Sequence, residues 1–237
     1  IPESVGYGIQ TYAQLGFARM NVVDAVNARL SVRQFLSTPV EDDQLKSLLS
    51  DASRSPSGGN VQPWRIYVVN GESMTRMREF LAGQPPLDEP EYDIYPKSIS
   101  EPYRTNRFTI GEQMYATLGI AREDKAGRQR QFAHNNDFFG APAAMFCYID
   151  RQMGPPQWSD LGMFLQTLML LAEENGLSTC AQEYWSVRHK SVTSFVGAPE
   201  NEMLFCGLAI GYADKAAPIN SLRSERMPLS EWATFVQ

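Results

Sequence analysis

The stretch from Leu161 to Glu174, LGMFLQTLMLLAEE, is apolar on nearly every side of a helix. Such a helix has no face suited to water and is buried all round, often at a subunit interface. Any fold for this chain must therefore wrap other elements around it. Ser159 or Asp160 is placed to cap its start, and Asn175-Gly176 ends it with a C-terminal glycine. Three runs read as strands: Trp64 to Asn70, Ala143 to Ile149 and Met203 to Ile210. Asn21 is a capping residue for a helix running to Arg29, and Glu41 to Arg54 is a second helix with Leu45, Leu48, Leu49 and Ala52 as its buried stripe. Ser73 to Leu81 is a third, and Ser230 to Phe235 is the one helix candidate in the tail. Helices gathered around a small sheet whose strands are not neighbours in sequence predict an α+β fold.

Residues 83–136 differ from the rest. Prolines come early, at 85, 86, 90, 96 and 102, and tyrosines and charges are mixed throughout. A helix around Ile110 to Gly119 is expected inside it. A segment this long between confident elements is usually a functional insertion or lid. Hydrophobic residues at 43% and charged residues at 20% describe an ordinary globular chain, which excludes a disordered or disulfide-stapled one. The net charge of −6 and a pI near 5.1 argue against nucleic acid or an anionic membrane as the main partner. They leave room for a local basic pocket. Cys147, Cys180 and Cys206 form no CxxC, so neither a zinc site nor a redox dithiol is indicated; they suit a reducing compartment. No apolar run is long enough to span a bilayer. Ile1 to Gly16 shows no basic start followed by an apolar block, so a cytoplasmic protein is expected.

Four clusters carry possible chemistry. In Arg29-Leu30-Ser31-Val32-Arg33, positions two apart share a face of an extended chain, so two guanidinium groups and a hydroxyl can point together. That set fits a phosphate; surface salt bridges are the plainer reading. Pro56-Ser57-Gly58-Gly59-Asn60-Val61-Gln62-Pro63-Trp64 lets backbone approach a flat ligand and brings amide groups to one loop. An ordinary turn would need the prolines and glycines but not the extra Ser, Asn and Gln. Gly176 to Trp185, with Gln182, Glu183 and Tyr184, reads as a loop leading to a short helix. Pro218 to Leu229 places Arg223 and Arg226 in a turn-rich tail, where the plain reading is an exposed basic patch. His134 and His189 are the two histidines, with no HxxxH pair. There is no GxSxG, no GxxxxGK[ST] and no GxGxxG opening a strand–turn–helix unit.

Taken in order, these clusters resemble the nitroreductase family of FMN-dependent oxidoreductases. The RxSxR followed by Phe35 is similar to the family's opening phosphate motif, and Pro56 to Trp64 is the most specific match. The long helix with Gln182-Glu183-Tyr184-Trp185 and the ending with Asn220, Arg223 and Arg226-Met-Pro228 also match. The resemblance covers roughly 20–235, apart from 83–136. It implies one FMN-binding domain over 1–237, with a three-layer α+β fold in which helices flank a mostly antiparallel sheet. It also implies an intertwined homodimer with FMN at the subunit interface.

Carried over residue by residue, Arg29, Ser31, Arg33 and Arg226 hold the FMN phosphate, with Leu30 between them and Arg223 as a weaker candidate. Ser57, Gly58 and Asn60, flanked by Pro56 and Gln62, come from the partner subunit and line the ring and ribityl chain. Gln182, Glu183 and Tyr184 lie beside the ring, with a backbone N–H near Glu183 donating to flavin N5. The family often has proline where this chain has Ala181. The implied activity is ping-pong: NADPH or NADH passes hydride to the flavin, which reduces a small flat acceptor, a nitroaromatic or a quinone. No side-chain acid or base is required. Tyr92, Tyr95, Tyr103, Phe108, Tyr115 and Phe132 are candidate pocket walls, most of them expected to pack and one or two to touch substrate. Dehalogenation, enone reduction and oxidase chemistry remain open on the same site. So do a non-catalytic flavin binder and an acidic dimeric interaction protein.

Overall fold

A computed structural model describes residues 20–237, so the segment 1–16, read above as lacking a leader, lies outside the described residues. Among the described residues, four antiparallel strands form one sheet in the order β1-β2-β4-β3. They are β1 (Trp64–Asn70), β2 (Ala143–Asp150), β3 (Ser178–Gln182) and β4 (Glu202–Gly211). The two central strands are buried along nearly their whole length, as their continuous apolar sequences require.

Helices cover both faces, giving the three layers expected. On one face lie α2 (Asp42–Ala52) and α6 (Pro155–Glu174), which interlock through Leu45, Leu48, Phe164 and Leu168 above Met145 and Ile210. On the other lie α3 (Glu72–Ala82) and α7 (His189–Val196), with Met74, Met77, Phe138 and Trp185 against Phe146 and Ala209. The short α1 (Val22–Ala28) rests on α6, and its cap is as expected: the Asn21 side chain accepts the Asp24 N–H at 2.9 Å.

Three expectations need correction. Helix α6 begins at Pro155, six residues before Leu161, because Pro155 sets a helical φ at the first position and Gln157 Oε1 accepts the Gly154 N–H. Ser159 and Asp160 therefore sit inside the helix rather than capping it. The stretch 178–182 is the strand β3, not a loop; STCAQ is short and lacks a bulky alternating pattern, so only its ladder with β4 reveals it. Ser230 to Phe235 is no helix. A 3-10 turn spans Leu229–Glu231, and Trp232, Phe235 and Val236 are exposed. A helix that short forms only when a core takes up one of its faces.

The all-round burial expected for α6 is only partly met within one chain. Leu161, Phe164, Leu165, Leu168 and Ala172 are buried, whereas Met163 is 40% exposed. On α1, which packs against α6, Val22 and Val23 are 73% and 66% exposed.

In 83–136 the chain forms α4 (Tyr103–Thr117), longer than expected, and α5 (Lys125–Ala133), which no periodicity announced. Its irregular first part is pinned at a bulge. Between the Cys147↔Cys206 and Tyr148↔Leu204 pairs, Phe205 is the extra residue. Its carbonyl accepts the Tyr92 hydroxyl, and its ring packs with Tyr92 and Trp158. No helix among the described residues is long and apolar enough to cross a membrane.

Candidate active site

Helix α1 ends at Ala28, and the Arg29 N–H closes its last turn on Ala25 O. The chain then runs extended along the free edge of β3. Ser31 bridges Thr179, and the Val32 N–H donates to Thr179 O at 3.0 Å. Val32 is buried and Leu30 packs on the same core. Alternation therefore turns Ser31 and Arg33 toward the half-buried side. The tail holds this segment in place. Asn220 Oδ1 accepts the Arg33 N–H at 2.8 Å, while its Nδ2 donates to Gln34 O and Asp214 O. Arg223 Nη1 reaches Asn27 O at 2.9 Å and Arg29 O at 3.5 Å.

The neighbouring titratable groups feel these cations. Burial pushes the Cys180 thiol up to about 11, with Arg33 and Arg29 both pulling the other way. Burial also raises the Glu173 carboxyl, opposed by Arg29, Arg223 and Lys215. Among the described residues, Arg29, Arg33, Arg223 and Arg226 are in no ion pair. The plainer salt-bridge reading thus finds no support there. Arg33 Nη1 bonds back to Ser31 O at 3.3 Å, and Arg226 Nη1 bonds back to Ser224 O, Ser224 Oγ and Glu225 O. Arg226 lines a larger cleft of about 980 Å³ between α4 and the tail.

Beside the cradle lies a cavity of about 480 Å³, whose walls include Arg33, Tyr95, Tyr115, Phe132 and residues 182–184. Of the six aromatic rings singled out, Tyr95, Tyr115 and Phe132 face it. Tyr92 packs at the bulge, and Tyr103 and Phe108 are exposed. Gln182 is buried with its side chain fully engaged: Nε2 donates to Asn135 O and Oδ1 at 3.1 Å, and Oε1 accepts the Trp185 indole N–H at 3.2 Å. The Tyr184 hydroxyl and Arg188 Nη1 both donate to Asn136 Oδ1 at 2.6 Å. Glu183 opens the 3-10 turn Glu183–Arg188, a position whose N–H has no partner inside the turn. Burial raises its carboxyl, with Tyr95 and Arg107 pulling it back.

The loop before β1 is built for close approach. Gly59, Asn60 and Gln62 adopt positive φ of 57°, 57° and 51°, a conformation that disfavours non-glycine residues and persists where surrounding bonds impose it. Those bonds are present. Ser57 Oγ accepts the Gln62 N–H at 3.0 Å, Gln62 Nε2 donates to Asn60 O at 3.1 Å, and Asp160 holds the Gly58 N–H. Pro56 and residues 58–62 are exposed, with Ser57 half-buried.

The structure gathers Arg29, Ser31, Arg33 and Arg223, and sets Gln182, Glu183 and Tyr184 on an adjoining wall. It does not bring Ser57, Gly58 and Asn60 to that cavity within one chain. Their loop leads into β1 at one edge of the sheet, and Gln182 ends β3 at the other. Three strand spacings separate those edges, roughly 14 Å. Sequence reasoning missed Arg107, Asn135, Asn136 and Arg188. These polar residues sit in no motif and meet only through tertiary packing.

A forked cationic cradle beside a slot with aromatic walls fits a flat molecule that ends in a phosphate, which places the protein among those that bind a mononucleotide. The chain belongs to the nitroreductase family, whose model matches residues 26–212. It is 35% identical over 217 residues to nitrobenzene nitroreductase of Ectopseudomonas oleovorans, covering 90% of this chain and 96% of that one. It is 37% identical over 206 residues to 4-nitrobenzoate reductase of Pseudomonas putida, covering 86% and 90%. Among solved structures it superposes with TM-score 0.88 on the FMN and NADPH-dependent nitroreductase NfnB from sphigopyxis sp. strain HMH. That pair shares 43% identity over 92% of this chain and 100% of the other.

Proposed function

We propose that this chain is an FMN-dependent NAD(P)H oxidoreductase that reduces a flat organic acceptor, a nitroaromatic or a quinone. The observation that carries the reading is the cradle: Arg29, Ser31 and Arg33 share one extended segment that Arg223 touches, all three arginines are outside any ion pair among the described residues, and Arg33 lines an aromatic-walled cavity. Relatives of the chain are named for reducing nitrobenzene and 4-nitrobenzoate, and a structural neighbour for dependence on FMN and NADPH.

When bound, FMN would supply the electron chemistry, a hydride carrier between the nicotinamide and the acceptor. The protein's part is binding and orientation. Arg29, Ser31 and Arg33 hold the phosphate, with Arg223 beside them and Arg226 on the tail. The N–H at Glu183 is the donor assigned to the ring nitrogen N5. Gln182 and Tyr184 act through position, since their side chains lock the wall on which Glu183 sits. The segment 83–136 serves as a lid of the single domain, contributing Tyr95, Tyr115 and Phe132.

A homodimer completes the site. Ser57, Gly58 and Asn60 lie on the opposite sheet edge from the cradle, which supports a second copy presenting them. The apolar surface left open at Val22, Val23 and Met163 is a suitable interface. Three free, buried cysteines fit the cytoplasm.

The test is a visible absorbance spectrum of the purified protein, before and after NADPH and then a nitroaromatic. Flavin bands that bleach with NADPH and return with the acceptor are expected. Failure to bind added FMN would overturn the reading. Bands that do not bleach would turn it toward an oxidase or a flavin store.

A further inference from the structure

One cation near the cavity is not used by the cradle. Arg107 projects from α4, and its guanidinium carbon lies 4.0 Å from the centroid of the Tyr95 ring. Stacking of this kind holds the planar group in one orientation while leaving its N–H edge free to donate. Among the described residues Arg107 is in no ion pair. It lines both the cavity of about 480 Å³ and the cleft of about 980 Å³, so it stands on the rim they share.

The charges of the two spaces differ. In the larger cleft Arg107 and Arg226 face Glu225 and Glu231, and the signs balance. In the smaller cavity Arg33 and Arg107 face Glu183, whose carboxyl burial raises while Tyr95 and Arg107 pull it back. With Arg33 given to the phosphate cradle, Arg107 is the cation left to that cavity in a protein of net charge −6. Tyr95, Tyr115 and Phe132 supply flat walls in the same space.

We propose that Arg107, stacked on Tyr95 at the rim, selects acceptors that carry an anionic group, with carboxylated nitroaromatics as the class. The guanidinium edge takes the carboxylate and the aromatic walls take the ring. Arg33 remains with the phosphate cradle. This assignment rests on the oxidoreductase reading above. The same edge chemistry would also suit the 2′-phosphate of the electron donor, so the test separates the two sources.

The probes are 4-nitrobenzoate and its neutral analogue 4-nitrobenzamide, reduced by the FMN-loaded parent, Arg107→Ala and Arg107→Lys. The expected result is a fall of roughly tenfold to a hundredfold in the ratio of kcat/KM for acid over amide in Arg107→Ala, the span of a lost charge-assisted hydrogen bond. Arg107→Lys should recover part of it, since it keeps charge but not the fork. Calorimetric titration with benzoate, which cannot be reduced, should show the same loss of affinity. An unchanged ratio and unchanged benzoate affinity overturn the proposal while leaving the oxidoreductase reading intact. A rise in KM for NADPH but not NADH, with the acid-to-amide ratio unmoved, assigns Arg107 to the donor and overturns the acceptor assignment. If the parent reduces neither these probes nor a quinone with either nucleotide, the oxidoreductase reading fails, and the benzoate titration alone then decides Arg107.

Discussion

Asp160 accepts the backbone N–H of Gly58 on both carboxylate oxygens, each at 3.2 Å. A buried side chain of the long helix thus holds the exposed turn that the proposed dimer would present to its second copy. Replacing Asp160 with alanine should lower stability by about 1.5–3 kcal/mol, the range for hydrogen bonds to a charged group, and loosen the 57–62 loop. Asn should retain part of it. Thermal melts and the rate of FMN release check this. Unchanged values for both would show that the contact does not hold the loop.

Arg33→Ala should weaken FMN binding by about 1–3 kcal/mol, as loss of a charge-assisted contact to phosphate implies. Arg29→Ala should behave alike. The tail arginines can be ranked: Arg223 touches the carbonyls of Asn27 and Arg29, whereas Arg226 is tied to its own loop. Arg223→Ala is therefore expected to cost at least as much as Arg226→Ala. Fluorescence titration with FMN measures all four. Parent-like affinity in both Arg33→Ala and Arg29→Ala would remove the phosphate assignment.

Gly207 sits in β4 opposite Gln182, directly beneath the Trp185 ring. A Cβ there would overlap the indole, which is stacked on Phe138 at 4.4 Å and has nowhere to move. Gly207→Ala should destabilise by about 1–3 kcal/mol, as overpacking does, and shift tryptophan fluorescence as the ring is displaced. Parent-like melting and emission would mean that the wall carrying Glu183 tolerates the change.

Tyr67 gives a pH prediction. Burial, with the Glu202 carboxylate accepting its hydroxyl at 2.7 Å, pushes its pKa from 10 up to about 12. A phenol raised in the folded state keeps its proton longer there than in the unfolded chain. Its contribution is complete below about pH 10 and is lost as pH climbs through about 12. Burial raises Tyr92 and Tyr148 as well, which adds to the trend. Melting temperature should fall across the alkaline range, less steeply in Tyr67→Phe. An identical slope in the variant would show that Tyr67 is not among the groups responsible.

What the sequence made legible follows from which forces act locally. The strands β1, β2 and β4 were visible because buried strands are apolar runs, and α2 and α3 because their stripes recur at helical spacing. The cradle was visible because Arg29, Ser31 and Arg33 lie within five positions and share a face. By contrast β3 is five polar or small residues that become a strand only by pairing with β4. Helix α5, KAGRQRQFA, has almost no apolar face and forms under the Asp124 cap, with Arg128 bound to Glu112 of α4. Asn136 was invisible as well. Its importance lies in receiving Tyr184 and Arg188, each roughly fifty positions away.

The edge-to-edge placement of the two loops has a genetic consequence for the proposed dimer. If each site draws its cradle from one copy and its 57–60 loop from the other, damage to either half can be supplied in trans. A copy disabled at Arg33 and a copy disabled at Asn60 would each form inactive dimers alone. Expressed together, their mixed dimers would contain one site with both lesions and one with none, so paired alleles should restore activity that neither has by itself.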